Sequence, residues 1–202
     1  MKPLLSKYPA LYAVLLLATA SLVHAQSTPH PVTLHLDPSR TEIHWTLSGN
    51  MHTVHGTFRL KSGTIQFDPS TGSAGGDVII DAATGNSGNG MRDKKMNKEI
   101  LETVTYPTIE FLPKRVIGQV AAQGSSQVQV EGTFRLHGSD HDLTLTFPIQ
   151  ANGQQLSTST HFEVPYEAWG LKNPSTLFLR VSNKVQIDIV AAGKLESGKA
   201  AQ

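Results

Sequence analysis

After a polar leader containing Pro29 and Pro31, apolar and polar side chains alternate with a period of two, the pattern of a strand that buries one face. Val32, Leu34 and Leu36 form the first set. Ile43, Trp45 and Leu47 form the second, with Glu42, His44 and Thr46 on the opposite face. Phe58 with Leu60, and Ile65 with Phe67, flank Gly63, which reads as a turn; Asp68-Pro69-Ser70-Thr71-Gly72 supplies the next reversal. The series continues with Val78 and Ile80, Ile109 and Phe111, Val128 to Leu136, Leu143 to Phe147, Leu156 to Val164, Leu177 to Val181 and Val185 to Ile189. About ten short strands separated by turns predict an antiparallel barrel or sandwich.

One stretch departs from this pattern. Gly85-Asn86-Ser87-Gly88-Asn89-Gly90 reads as a flexible loop, and Met91 to Leu101 as a short helix with Met96 and Ile100 on one face. Arg92, Lys94, Lys95 and Lys98 give the rest of its surface four cations. They suit either a solvated face on a helix covering one end of the barrel or a mobile lid that meets an anionic head group. There is also an internal echo: Gly56-Thr57-Phe58-Arg59-Leu60 recurs as Gly132-Thr133-Phe134-Arg135-Leu136. Each copy runs towards a glycine and a Thr-x-x-Phe segment, which implies two equivalent hairpins.

Composition narrows the function classes. With 39% hydrophobic and 16% charged residues, the 202-residue chain suits one globular domain. Seventeen Lys and Arg against sixteen Asp and Glu are too balanced for a chain that grips a phosphate backbone, so no nucleic-acid partner is expected. The absence of cysteine excludes disulfides, zinc–thiolate sites, iron–sulfur clusters, thiol nucleophiles and cysteine-anchored lipoprotein processing.

The N-terminus reads as an address. Lys2 and Lys7 precede an apolar run from Leu11 to Leu22, and Val23-His24-Ala25 places small residues where a signal peptidase reads. Residues 1–25 are therefore expected to be a signal peptide cleaved after Ala25, the run being too short for a membrane anchor. Cleavage leaves 177 residues with fifteen Lys and Arg against sixteen Asp and Glu. The product is expected to be periplasmic or secreted and not membrane-spanning. It should form a single domain over 26–202, ordered from about 30 to 194, with a disordered tail from Gly193 to Gln202.

Three motifs in order carry a family resemblance. They are Gly63-Thr64-Ile65-Gln66-Phe67-Asp68-Pro69, the stretch from Met91-Arg92-Asp93 through Tyr106-Pro107-Thr108-Ile109-Glu110-Phe111, and Gly132-Thr133-Phe134-Arg135-Leu136-His137-Gly138. Together they resemble the YceI-like family across nearly all of the mature chain. The resemblance implies an all-β, extended antiparallel lipocalin-like β-barrel with one short helix and a glycine-rich loop near one end. It also implies export, an elongated apolar lumen for a polyisoprenoid or other long-chain amphiphile, and no catalytic residues or cofactor. The chain departs from the family pattern at Pro165-Tyr166-Glu167-Ala168-Trp169-Gly170-Leu171-Lys172-Asn173-Pro174 and in the polar turn after Gly138.

Physical chemistry allows such a ligand. At roughly 0.3 kcal/mol per heavy atom, a tail of about 40 carbons would bind with about −12 kcal/mol. A membrane solvates the same tail equally well, so selectivity must come from a head-group contact or from delivery kinetics. The candidate tail contacts are Trp45, Phe58, Phe67, Phe111, Phe134, Phe147 and Phe162, each equally suited to ordinary core packing. The candidate head-group contacts are Arg92, Lys94, Lys95, Tyr166 and Trp169. Transient membrane contact and a homodimer are further partner expectations left open.

Two other chemistries have candidate residues. A zinc or copper site would draw on His44, His52 and His55, or on His137, Asp140, His141 and Asp142. An odd spacing along a strand sends His52 and His55 to opposite faces, which counts against the first set. For a hydrolase-like enzyme, His161 and Glu163 share one strand face as base and orienter. Neither a Gly-x-Ser-x-Gly elbow nor a phosphate-binding Gly-x-x-x-x-Gly-Lys loop accompanies them.

Overall fold

The computed structural model describes residues 31–197; the leader, with its expected cleavage after Ala25, and residues 198–202 lie outside the described residues. Nine strands follow one another: β1 (Val32–Leu36), β2 (Glu42–Leu47), β3 (Val54–Phe67), β4 (Ala74–Asn86), β5 (Thr108–Ile117), β6 (Gln123–Leu136), β7 (Ser139–Asn152), β8 (Gln155–Val164) and β9 (Val185–Ser197). Between β4 and β5 lies α1 (Gly90–Lys95), which runs straight into a π-helical turn, Met96–Ile100.

Every ladder among these strands is antiparallel, and the pairing of β3 with β4 closes the sheet on itself. β1 and β2 lie end to end in one slot between β3 and β9, separated by a 3-10 turn, Pro38–Arg40. The wall is therefore an eight-position barrel, with β1 as the extra strand. At about 3.3 Å per residue, the 14-residue strands β3, β6 and β7 run roughly 45 Å, which gives the extended shape.

The alternation locates the strands well but misreads some of their joints. Gly63 is not in a turn: β3 passes straight through it, and a bulge between Leu60 and Ser62 inserts one residue. Leu60 and Gly63 both face inward as a result, so the parity change that looked like a reversal is absorbed without leaving the strand. A second bulge, between Pro113 and Arg115 in β5, turns Pro113 and Val116 to the same side in the same way. The two copies of the echo are accordingly not equivalent hairpins. Only the second reaches one, through His137 (φ 52) and Gly138 (φ 75), whose paired positive angles match a two-residue turn of the right twist.

Leu177 to Val181 is not a strand either. Both edges of the neighbouring β2 are already taken, so this segment bonds instead to the β2–β3 connection through Asn50, Ser48 and a single bridge from Gly49 to Val181. At the other extreme, β9 continues to Ser197, past the expected ordered limit, because β1 offers it a partner from Val32 to Leu36.

The two ends of the barrel differ in their connections. At one end the strands are joined by the short segments 68–73, 118–122 and 153–154. At the other, 87–107 and 165–184 are long, 48–53 equals 68–73 in length, and the β6–β7 turn is tight. Val116, Val128, Val130 and Leu145 belong to the larger buried cluster, with Phe67 and Phe147 packed against it; Ile43, Leu60 and Ile80 form a smaller one.

Candidate ligand-binding site

Inward positions at the long-loop end do not close on one another. They surround a cavity of about 450 Å³ that opens beneath α1. Trp45, Leu47, Val54, Phe58, Ile109, Phe134, Leu136, Val164, Val185 and Ile187 come from the strands. One face of the helical segment adds Met91, Arg92, Lys95, Met96, Ile100 and Leu101, and the connections add His52, Tyr166, Leu171, Pro174, Thr176, Leu179 and Val181. The volume lies within the roughly 300–1,000 Å³ usual for small-molecule sites, and the lining is overwhelmingly apolar.

Glycines on the wall help to keep this space open. A Cβ at Gly56 would collide with the Trp45 ring, and one at Gly132 would fall 2.7 Å from the Phe111 ring. Each ring can lie flat over its glycine instead of projecting towards the axis. This accounts for the echo: in each copy the glycine seats an aromatic ring belonging to the neighbouring strand, and the phenylalanine two residues on, Phe58 or Phe134, faces the cavity. Gly85 has a related role. It lies in β4, not in a flexible loop, and a side chain there would meet Met96 and Phe58.

The loop between β4 and α1 is held in place. Asn89 caps α1 by accepting from the N–H groups of Met91 and Arg92. Ser87 donates its N–H to Asp93 Oδ1 at 2.9 Å, while Arg92 donates from Nε to Ser87 Oγ at 2.8 Å and from Nη2 to the Ser87 carbonyl at 3.0 Å. Arg92 is thereby fixed at the cavity with Nη1 uncommitted among the described residues. The π-helical turn widens the last coil, so Ile100 and Leu101 both reach the lining.

Among the described residues the polar lining is cationic or neutral: His52, Arg92, Lys95, Tyr166 and Thr176, with no carboxylate. Lys95 forms no ion pair there. Tyr166 donates its hydroxyl to the Ser182 carbonyl at 2.6 Å, and burial, helped by the charge of Glu167, pushes its phenol up to about 12. Its ring lines the cavity while its hydroxyl ties the 165–184 connection together.

The structure divides the sequence candidates. Trp45, Phe58 and Phe134 line the cavity, whereas Phe67, Phe111, Phe147 and Phe162 do not. Phe111 is part of the buried core, Phe67 and Phe147 pack against it, and Phe162 meets Phe134 edge-on at 6.3 Å. The cavity thus occupies one end and not the whole lumen, because side chains fill the rest. Of the head-group candidates, Arg92, Lys95 and Tyr166 are at the cavity. Lys94 faces a separate depression with Lys98 and Glu102. Trp169 stands behind the lining, stacked on His141 at 4.0 Å and 5.7 Å from Phe134. It sits where β7 and β8 part company: their ladder spans only Ile149–Asn152 against Gln155–Thr158, beyond which Thr158 and Thr160 hydroxyls reach the Pro148 and Thr146 carbonyls.

The histidine sets scatter. His52 is at the cavity, His55 meets Thr46, and His44 meets Glu42. His137 pairs with Glu102, Asp140 with Arg135 and Asp142 with Lys114. No group of three metal-ligating side chains converges among the described residues. His161 and Glu163 point to solvent, paired with Asp188 and Lys184.

Sequence reading offers His52 only as a metal ligand and misses Met91, Leu171, Leu179 and Val181. The only signal for the last two was the alternation that had been taken for a strand.

A family model for the YceI-like domain matches residues 34–192. The crystal structure of Burkholderia cenocepacia BcnA superposes with a TM-score of 0.62 at 16% identity, covering 78% of this chain and 98% of that one. A polyisoprenoid binding domain from Saccharophagus degradans, implicated in plant cell wall breakdown, superposes with a TM-score of 0.60 at 18% identity, covering 81% and 98%. No curated protein sequence matches. At these identities the superpositions establish a shared barrel fold.

Proposed function

The chain belongs to the YceI-like family, and from that premise we propose that it is an exported binding protein for a polyisoprenoid or other long-chain amphiphile. The observation that carries this reading is the apolar cavity of about 450 Å³, whose charged lining residues among those described are all basic. In this reading the tail lies among Trp45, Phe58, Phe134, Leu136 and Ile187. The head group, an anion, meets Arg92 Nη1 and Lys95 at the mouth, where a charge-assisted contact supplies the discrimination that apolar burial cannot. The polyisoprenoid-binding domain that shares the fold supports this ligand class.

Binding, not catalysis, is the activity proposed. Both hydroxyls in the lining are engaged with backbone groups, Tyr166 donating to Ser182 and Thr176 accepting from Leu179, and neither is bonded to a histidine or carboxylate. Export is proposed from the leader alone, and N-terminal sequencing of the secreted product should begin at Gln26.

Organic extraction of the purified protein followed by mass spectrometry tests the ligand. The expected result is an isoprenoid or long-chain lipid in stoichiometric amount. An empty extract, together with no uptake of a fluorescent isoprenoid, overturns the proposal.

A further inference from the structure

The large apolar side chains most exposed to solvent are not scattered. Met51 (72%), Met91 (81%), Leu177 (78%) and Phe178 (80%) all sit on the connections around the cavity mouth, and Val104 (99%) lies on the segment after the helix at the same end. Two of these connections are joined: Asn50 donates from Nδ2 to the Phe178 carbonyl at 3.3 Å and accepts from the Arg180 N–H at 3.0 Å. Met51, Leu177 and Phe178 are thereby carried on one bonded pair of loops, and Met91 lies on the helix that lines the same cavity. The opposite end carries no comparable residue in its turns 68–73, 118–122 and 153–154. A cluster of this kind rimmed by polar residues marks an interaction surface.

Charge says what the surface fits. The three connections 48–53, 87–107 and 165–184 at the mouth hold seven Lys and Arg against four Asp and Glu. The rest of the described chain holds seven against twelve, so these connections carry a basic excess that the strands do not. An anionic surface would attract these connections. Aliphatic, thioether and aromatic tips set among lysines are the composition that enters the boundary between head groups and acyl chains.

We propose that the mouth end docks on an anionic phospholipid bilayer, inserting Met51, Met91, Leu177 and Phe178 with the surrounding cations on the head groups. Docking places the cavity opening against the acyl layer, so an amphiphile passes between bilayer and cavity without its tail crossing water. This rests on the reading of the cavity as a lipid site, and it explains why the apolar rim surrounds that opening and no other part of the barrel.

The test is co-sedimentation of the mature protein with vesicles of phosphatidylcholine alone or with a third phosphatidylglycerol. Binding is expected only to the anionic vesicles and should weaken as salt rises. The double variant Leu177→Ser/Phe178→Ser should bind about tenfold more weakly, and Lys98→Glu about fivefold more weakly. Leu177, Phe178 and Lys98 lie outside the cavity lining, so uptake of a soluble fluorescent isoprenoid and the circular dichroism spectrum should be unchanged. Loss of that uptake in the unaltered protein would fail the cavity reading, whereas vesicle binding reports on docking separately. No sedimentation at low salt, equal sedimentation of the double variant, or a dimer abolished by Leu177→Ser/Phe178→Ser without vesicle binding would overturn the proposal.

Discussion

The two ends of the barrel are built from the same alternation of inward apolar and outward polar residues, yet one is filled and the other is hollow. At the filled end, short turns hold the strands in register, and Val116, Val128, Val130 and Leu145 close on one another with Phe67 and Phe147. At the hollow end, the β7–β8 ladder has stopped, two of the connections are long, and Gly56 and Gly132 let rings lie against the wall. An apolar inward face alone therefore does not create a binding site. What matters is whether the inward side chains reach across, and that depends on glycine placement and on how far the loops hold the strands apart.

Truncation should break the comparison most sharply. Leu145→Ala in the filled half should lower stability by about 2–5 kcal/mol, while Leu179→Ala at the mouth, where a void already exists, should remain within about 1 kcal/mol. Urea unfolding of both variants checks this, and equal losses would mean that the hollow end is packed in solution.

Two glycines sharpen it next. Gly76 has φ +99 and its Cβ would strike the Thr64 carbonyl, so Gly76→Ala should cost about 2–3 kcal/mol. Gly85→Ala meets the free end of Met96, which can swing away, and the Phe58 ring at 2.8 Å, so its effect should be about 1 kcal/mol and appear in ligand uptake as well. Thermal melting and fluorescent-lipid titration separate the two outcomes.

Filling the hollow is the third test. Val54→Phe should weaken ligand uptake about tenfold while leaving stability within about 1 kcal/mol, because the ring enters space that no side chain occupies. Retained uptake would move the ligand elsewhere.

The smallest effect is a pH response confined to the mouth. The Tyr166 phenol is pushed from 10.0 up to about 12 in the folded state, so the unfolded chain releases its proton first. The associated stabilisation is complete below pH 10 and is lost as pH rises from 10 towards 12. Tyr166→Phe should remove that dependence and the bond to Ser182 together, at about 1 kcal/mol. Spectroscopic titration of tyrosine alongside melting curves checks it.

Much of the architecture was legible in the linear pattern. Periodicity of two located eight strands outright, because a half-buried strand must alternate, and Asp68 to Gly72 turned where its residue types demand. The errors fell where parity changed, at Lys61-Ser62, and where alternation occurred without a free sheet edge, at Leu177 to Val181. At the site, Trp45, Phe58, Phe134, Arg92 and Lys95 were legible as inward aromatics and loop-flanking cations. His52, Leu171 and Leu179 were not, because connections carry no periodicity from which a facing direction can be read.

The order of residues by itself determined an all-β chain, the class of its lining and the family to which it belongs, since alternation and local turn chemistry act over a few neighbouring positions. Closure of the barrel alone decided that Phe134 lines the cavity while Phe111, its cross-strand partner in the same buried cluster, does not. That choice depends on what stands opposite, at Gly132 and across the barrel, and distances of that kind are set by closure of the sheet and not by the residues next in line.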